Sequence, residues 1–284
     1  MPTPEIPQFF SDPLTAAGLM ALAAQAGYYS LYWFLGDRAH REHAAEGFER
    51  VLVSGVLLGV ALILVNLSLW GLNVYLSVAG VTLPDNSAIR ILNQTKSWQD
   101  FGANVQTALS VAERTYKSYA TASGAILAAY SAAVVGTGVT HWTSPISMAI
   151  LNVYAYLVSA ATTVLLSSAV YGVAMVLARS WPALLPLGAV LVTYERTRHL
   201  GAWLLAVSVV APIVLAAGAD VLSAVNPLDI AKLAGMVTPL FVFLDADPLL
   251  KAMIILGLIG LTLGVVTYAA SRLFDHAGAS LSLE

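Results

Sequence analysis

Apolar and polar positions alternate along the middle of the chain with the period of a helix. Between Ser97 and Arg179 the pattern predicts two long helices joined by a loop at His141–Pro145. The apolar positions of the first arm recur every three or four residues: Trp98, Phe101, Val105, Leu109, Ala112, Tyr116 and Tyr119. This spacing is typical of an amphipathic helix. The polar face ends at Tyr119, and the uncharged stretch Tyr119–Thr140 indicates that the same helix continues into a membrane.

The predicted hairpin 97–179 is longer than a bilayer requires. Its first arm would measure about 65 Å, whereas the hydrocarbon layer is about 30 Å thick. The return arm, Ile146–Leu177, is also uncharged and longer than one span. We therefore expect the hairpin to extend beyond the bilayer, with the other spans packed around it.

Four further apolar segments surround this hairpin. The pattern predicts N-terminal spans at 13–36 and 51–81, separated by a short, solvated helical linker at Asp37–Arg50. It then predicts a short apolar segment followed by a span within 183–222, and a C-terminal helical hairpin at 228–273. The segment Ala183–Thr193 is too short to cross a bilayer alone. The predicted fold class is thus all-α, a polytopic membrane protein with six or seven transmembrane helices in a single integral membrane domain, 1–284.

Composition supports a membrane protein. The chain is 58% hydrophobic and only 10% charged, whereas a soluble domain carries about 25% charged residues. The net charge of −3 gives no bulk basic signal for nucleic acid. Cysteine is absent and the five histidines are scattered, so we predict neither a disulfide, a metal site nor a cofactor.

No catalytic motif is present. The chain lacks a nucleophile elbow, a phosphate-binding loop and a zinc-protease helix. We predict no catalytic residues and no enzyme activity; a membrane-embedded enzyme is the least favoured alternative.

Ionisable residues near the predicted spans are few. Asp229 and Lys232 are three positions apart and are predicted to form an ion pair inside the membrane. The alternative is a local pair that caps a helix at the interface. No predicted span carries a charge at its centre, which disfavours an ion-coupled transporter.

Charge asymmetry around the first span predicts the orientation. No Lys or Arg precedes it and three Arg follow it, which places the N-terminus outside a plasma membrane. If successive spans cross the membrane in alternating directions, four later cations are also outside: Arg90, Lys96, Arg114 and Lys117. Their position opposes the rule that cations near spans are found inside.

One segment resembles a known family. It begins with Leu-Pro-Leu-Gly, in which the proline is Pro186 and the glycine is Gly188. Apolar residues follow, then the aromatic Tyr194, the sequence Arg196-Thr-Arg198, Gly201 and a predicted span. This pattern is similar to the TrbL-like family, the polytopic membrane components of type IV secretion and conjugation machines. The archaeal branch of that family, the CedA proteins, is the membrane component of a DNA-import system in Crenarchaeota.

The resemblance implies a function. A member would be a non-enzymatic channel subunit that assembles as a homo-oligomer and forms a conduit for DNA. Small membrane subunits, a separate hexameric ATPase and membrane lipid would be its partners. Arg90, Lys96, Arg114 and Lys117 would be the contacts to DNA phosphate. Arg196 and Arg198 would form a charged cap for a lipid headgroup, an ATPase or nucleic-acid phosphate, or only a membrane-edge anchor.

A small-molecule transporter or permease subunit is the alternative. It would hold a binding cavity within one subunit and broken helices at the midplane. Pro212 and Pro239 are the residues that favour it.

Overall fold

Helices make up the whole described architecture. The computed structural model describes residues 13–78, 87–93, 98–137, 145–223, 225–232 and 247–281, and these contain no strand. The helices are α1 Pro13–Leu35, α2 Arg38–Val78, α3 Ala88–Asn93, α4 Trp98–Thr137, α5 Pro145–Arg179, α6 Trp181–Val192, α7 Arg198–Leu222, α8 Pro227–Lys232 and α9 Asp247–Leu281. A 3₁₀ turn, Glu195–Thr197, precedes α7.

Among the described residues, three segments are long and apolar enough to cross a membrane: Ala155–Arg179, Glu195–Leu222 and Asp247–Ala279. The expectation of an all-helical chain is confirmed for the described residues, and these segments are consistent with a membrane protein. The total of six or seven spans stays a prediction, since most of the predicted 228–244 span and residues 141–144 of the predicted loop lie outside the described residues. In the most apolar 18-residue stretch of Glu195–Leu222, 67% of the residues are buried, whereas the corresponding value for Asp247–Ala279 is only 22%. The segment containing α7 is therefore a core element, whereas α9 offers much of its surface to lipid or to other chains.

The chain divides into two compact units. The first comprises Met1–Leu109, Met175–Val214 and Leu263–Glu284, and the second comprises Ser110–Ala174 and Leu215–Thr262. Each is described separately below, within the described residues.

The first unit contains a group of three packed helices, α1, α2 and α6. Tyr29 of α1 is buried, and its ring lies directly over Gly47 of α2. A Cβ at position 47 would collide with that ring. Glycine at this position therefore allows α1 and α2 to approach closely.

Helix α2 is longer than predicted. The stretch Asp37–Arg50, predicted as a helical linker before the second span, is continuous with that span, since one helix extends from Arg38 to Val78. Asp37 caps its start, accepting a hydrogen bond from the His40 backbone N–H at 3.0 Å and lying 2.6 Å from the His40 ring. These hydrogen bonds lower the pKa of Asp37. The helical character predicted for the linker is confirmed, and the cap at Asp37 accounts for the helix start.

The second unit is organised by buried tyrosines. Tyr116 and Tyr119 of α4 and Tyr171 of α5 are all buried, and the rings of Tyr116 and Tyr171 lie 5.4 Å apart. Gly218 and Gly260 leave room for two of the hydroxyls: a Cβ at position 218 would lie 2.8 Å from the oxygen of Tyr116, and one at position 260 would lie 2.7 Å from that of Tyr171. Small residues therefore accommodate aromatic side chains here.

Candidate functional site: the motif hairpin and its charged groove

The segment that carries the family resemblance folds as a helical hairpin. We call residues 181–205, from α6 through the 3₁₀ turn into α7, the motif hairpin. Its two motif glycines pack on each other. A Cβ at Gly188 would lie 3.0 Å from the carbonyl oxygen of Gly201, and a Cβ at Gly201 would lie 2.7 Å from that of Gly188. The backbones of α6 and α7 therefore touch, which only glycine permits at both positions.

Side chains in the turn of the hairpin donate hydrogen bonds to carbonyls at the end of α6. The hydroxyl of Thr197, the residue between the two motif arginines, donates to the Leu191 carbonyl at 2.9 Å. The hydroxyl of Thr193 donates to the Val190 carbonyl at 2.7 Å. The last carbonyls of a helix lack partners within the helix. The threonine between the arginines thus has a structural role, which the sequence alone did not indicate.

Pro186 is buried inside α6. Proline removes one backbone donor from a helix. Pro182, at the helix start, occupies a position where that loss is harmless.

The aromatic residue of the motif fastens the turn to the N-terminal helices. The Tyr194 hydroxyl accepts a hydrogen bond from Gln25 Nε2 of α1 at 2.6 Å. The Arg50 guanidinium of α2 lies 5.5 Å from the centre of the Tyr194 ring, within the range of a cation–π interaction. The motif aromatic is therefore the point where α1, α2 and the motif hairpin meet.

The two motif arginines have different surroundings. Arg196 is exposed on the 3₁₀ turn. Arg198, the first residue of α7, lines a groove of about 610 Å³. The lining is mixed in charge and comes from the start of α7 and the end of α9: Glu195, Arg198, His199, Asp275, His276 and Ala279. We call this the charged groove.

A contact between His199 and Asp275 joins the two sides of the charged groove. His199 Nδ1 lies 3.1 Å from Asp275 Oδ2. The Asp275 side chain is only 13% exposed and that of His199 is 83% exposed. The other oxygen, Asp275 Oδ1, is buried and has no hydrogen-bond partner within the described part of the chain. A buried carboxylate oxygen without a donor is costly, so the described residues leave the hydrogen-bonding capacity of Asp275 incompletely satisfied.

None of the described cations that were predicted to contact DNA belongs to the motif hairpin. Arg90 is exposed on α3 in the first unit, and Lys96 lies outside the described residues. Arg114 and Lys117 are exposed on one side of α4 in the second unit. Lys117 pairs with Glu113 one turn earlier. The structure thus brings Arg114 and Lys117 together on one helix, and Arg90 belongs to the other unit.

Asp229 and Lys232 lie on α8, with Lys232 Nζ 2.7 Å from Asp229 Oδ1. Both side chains are partly exposed. Their position inside a membrane stays a prediction. No group of three or more His, Asp or Glu side chains suited to a metal ion occurs among the described residues.

Sequence reasoning missed the tyrosine contacts of the second unit. The hydroxyl of Tyr116 donates to the Leu215 carbonyl at 3.1 Å. The single O–H of Tyr119 is shared between the Leu222 carbonyl, at 2.6 Å, and the Val225 carbonyl. The three-residue spacing of the tyrosines predicted that they share a face, but not which carbonyls they would find.

No protein-family model matches the chain, and neither a curated protein nor a solved structure matches it. The resemblance to the TrbL-like family therefore depends on the motif residues and on their spacing.

Proposed function

We propose that the chain is a non-enzymatic membrane subunit of a DNA-import or conjugation-like apparatus related to type IV secretion. Several copies would surround a conduit for DNA in the plasma membrane, with the hairpin 97–179 at its centre. A separate hexameric ATPase would supply the work, and small membrane subunits would complete the assembly. Six or seven spans and an external N-terminus belong to the same proposal.

The mutual packing of Gly188 and Gly201 is the observation that carries the proposal. The resemblance joins two short patterns, Leu-Pro-Leu-Gly and Arg-x-x-Gly, that are individually common. Their glycines touch across α6 and α7, and the aromatic residue between them contacts α1 and α2. The packing of these residues on one another gives the pattern a structural reason, and this supports the proposal.

Exposed apolar faces support assembly. Leu166, Val170 and Val173 of α5 are each at least 60% exposed. The chain therefore offers apolar helix surface to lipid or to further copies.

Cross-linking between copies tests the conduit. The chain has no native cysteine, so an introduced thiol is a clean reporter. Thr121 is exposed on α4, while Ser123, two residues later, is fully buried. In a membrane-reconstituted complex we expect Thr121→Cys to form disulfide-linked dimers on oxidation and the matched control Ser123→Cys to form none. The mass of the solubilised complex should exceed that of one chain.

A monomeric particle without cross-links would contradict the conduit. It would also favour the transporter alternative, which needs only one subunit. The cysteine is placed at Thr121 and not at the nearby Tyr116 of α4, because the Tyr116 side chain is buried.

The predicted phosphate contacts give a second test. Binding of a single DNA strand should become less dependent on salt when Arg114 and Lys117 are both replaced by Gln. We expect the slope of log affinity against log salt to fall by about 0.7 for each phosphate that the variant no longer neutralises. Lys251→Gln is the control, since Lys251 is an exposed cation paired with Asp247 on α9. Fluorescence anisotropy over a salt series measures the slope, and equal slopes for all three proteins would exclude these contacts.

A further inference from the structure

The charged groove lies where two candidate membrane spans end. One span, Glu195–Leu222, begins at the groove, and the other, Asp247–Ala279, finishes there. The apolar parts of both helices lead away from it. If both helices cross a bilayer, the groove is at the depth of the lipid headgroups.

Exposed side chains beside the groove are of the kind found at a membrane interface. Trp203 and Tyr268 are exposed on α7 and α9, within about two turns of the groove. Leu200 and Leu273 are more than half exposed next to the charged residues. Tryptophan and tyrosine are enriched where hydrocarbon meets headgroups, and the leucines provide apolar surface for acyl chains.

The charges in the groove are of both signs. Arg198 lies at the start of α7, where the first backbone N–H groups and the helix dipole also favour an anion. Asp275 and Glu195 supply negative charge. A ligand with a phosphate and an ammonium group would match both halves, while a purely anionic ligand would meet the two carboxylates.

Asp275 provides the observation that points to an amine. Its Oδ2 contacts His199, whereas Oδ1 is buried without a donor in the described part of the chain. Rotation about the soft χ2 torsion only exchanges the two oxygens, so a ligand would reach Asp275 at the oxygen that faces His199, in place of the exposed His199 ring. A primary ammonium donates hydrogen bonds to such an oxygen, whereas a quaternary ammonium cannot. Quaternary groups prefer aromatic cages, and none of the six lining residues is Phe, Tyr or Trp.

We propose that the charged groove binds the headgroup of a phospholipid that carries a primary amine. The phosphate diester would contact Arg198 and the first turn of α7, and the ammonium would contact Asp275. Bound at this point, the lipid would join the start of α7 to the end of α9. This site is independent of the DNA-conduit proposal.

Lipid retention measured by native mass spectrometry tests the site. The full chain is purified, exchanged into three lipids with identical acyl chains, and compared: phosphatidylethanolamine, phosphatidylcholine and phosphatidylglycerol. We expect the ethanolamine lipid to be retained about tenfold more than the other two, which corresponds to the free energy of one charged hydrogen bond. Asp275→Asn should remove this preference, and Arg198→Gln should weaken retention of all three lipids. Asp247→Asn, at the other end of α9 and outside the groove, should change nothing.

Two further measurements extend the test. If Asp275→Asn fails to fold, Glu195→Gln replaces it, because Glu195 is exposed and its substitution should reduce the preference. Soluble phosphoethanolamine that displaces the lipid would show that the headgroup suffices, and failure to displace it would show that the acyl chains contribute. Equal retention of the three lipids in the unmodified protein, or a preference that survives both carboxylate substitutions, would overturn the proposal. Cross-linking through Thr121→Cys would be unaffected by either result.

Discussion

Replacement of Gly201 by alanine is expected to lower the free energy of unfolding by about 3 kcal/mol. The new Cβ would lie 2.7 Å from the Gly188 carbonyl oxygen and would also collide with the Val192 backbone nitrogen. Both are backbone atoms of α6, so no side-chain rotation relieves the collision. The two helices would have to separate, and the contact of Tyr194 with α1 and α2 would be disturbed with them.

Gly257→Ala is the matched control. Gly257 is also helical, but nothing lies within 4 Å of the position its Cβ would take. The free energy of unfolding, measured by denaturant titration in mixed micelles, should be unchanged or slightly higher for this variant. Similar values for the Gly201 and Gly257 variants would show that α6 and α7 are not in backbone contact.

Removal of the Tyr119 hydroxyl is expected to cost about 2 kcal/mol. The hydroxyl donates to the carbonyls of Leu222, the last residue of α7, and of Val225. In the Tyr119→Phe variant, the Leu222 carbonyl would still accept a hydrogen bond from the Val225 backbone N–H, at 2.9 Å. Val225 is buried, and in Tyr119→Phe its carbonyl loses the donor that the hydroxyl provides. The end of α7 should therefore loosen before the rest of the helix.

Tyr156→Phe is the control, because Tyr156 lies in the same unit and its side chain is more than half exposed. Unfolding titration gives the energy, and hydrogen exchange of the amides near Ser223 and Val225 locates the destabilised segment. If the Tyr119 variant is as stable as the Tyr156 variant, the hydroxyl does not cap α7.

Periodicity predicted local structure well where one face is buried. The apolar stripe of α4 was expected from its three- and four-residue steps, and Val105, Leu109, Ala112, Tyr116 and Tyr119 are all buried. At Asp37–Arg50 the predicted helical character is confirmed, but the sequence did not indicate that this helix and the following span are one. The stretch has a cap at Asp37 and continues without interruption into the apolar run of α2.

Contacts between distant residues were beyond sequence reasoning. His199 and Asp275 are in contact across the charged groove, and Gln25 contacts Tyr194. Nothing in the local spacing of these residues links them, because such pairs depend on which helices lie side by side. The motif indicated that Gly188 and Gly201 mattered, but it assigned Gly188 only to close packing in general and not to a contact with Gly201.

Helix α2 is long enough to connect residues outside the apolar region with the motif hairpin. Its 41 residues contain no proline and extend over about 60 Å, twice the thickness of the hydrocarbon layer. A sharp kink in a helix usually occurs at proline or at a Gly/Ser pair, and the Ser54-Gly55 pair of α2 lies beyond Arg50. We therefore expect a displacement of the charged end, near Arg38 and Glu42, to be transmitted at least as far as Arg50. The Arg50 guanidinium lies 5.5 Å from the centre of the Tyr194 ring, so such a displacement would reach the motif hairpin.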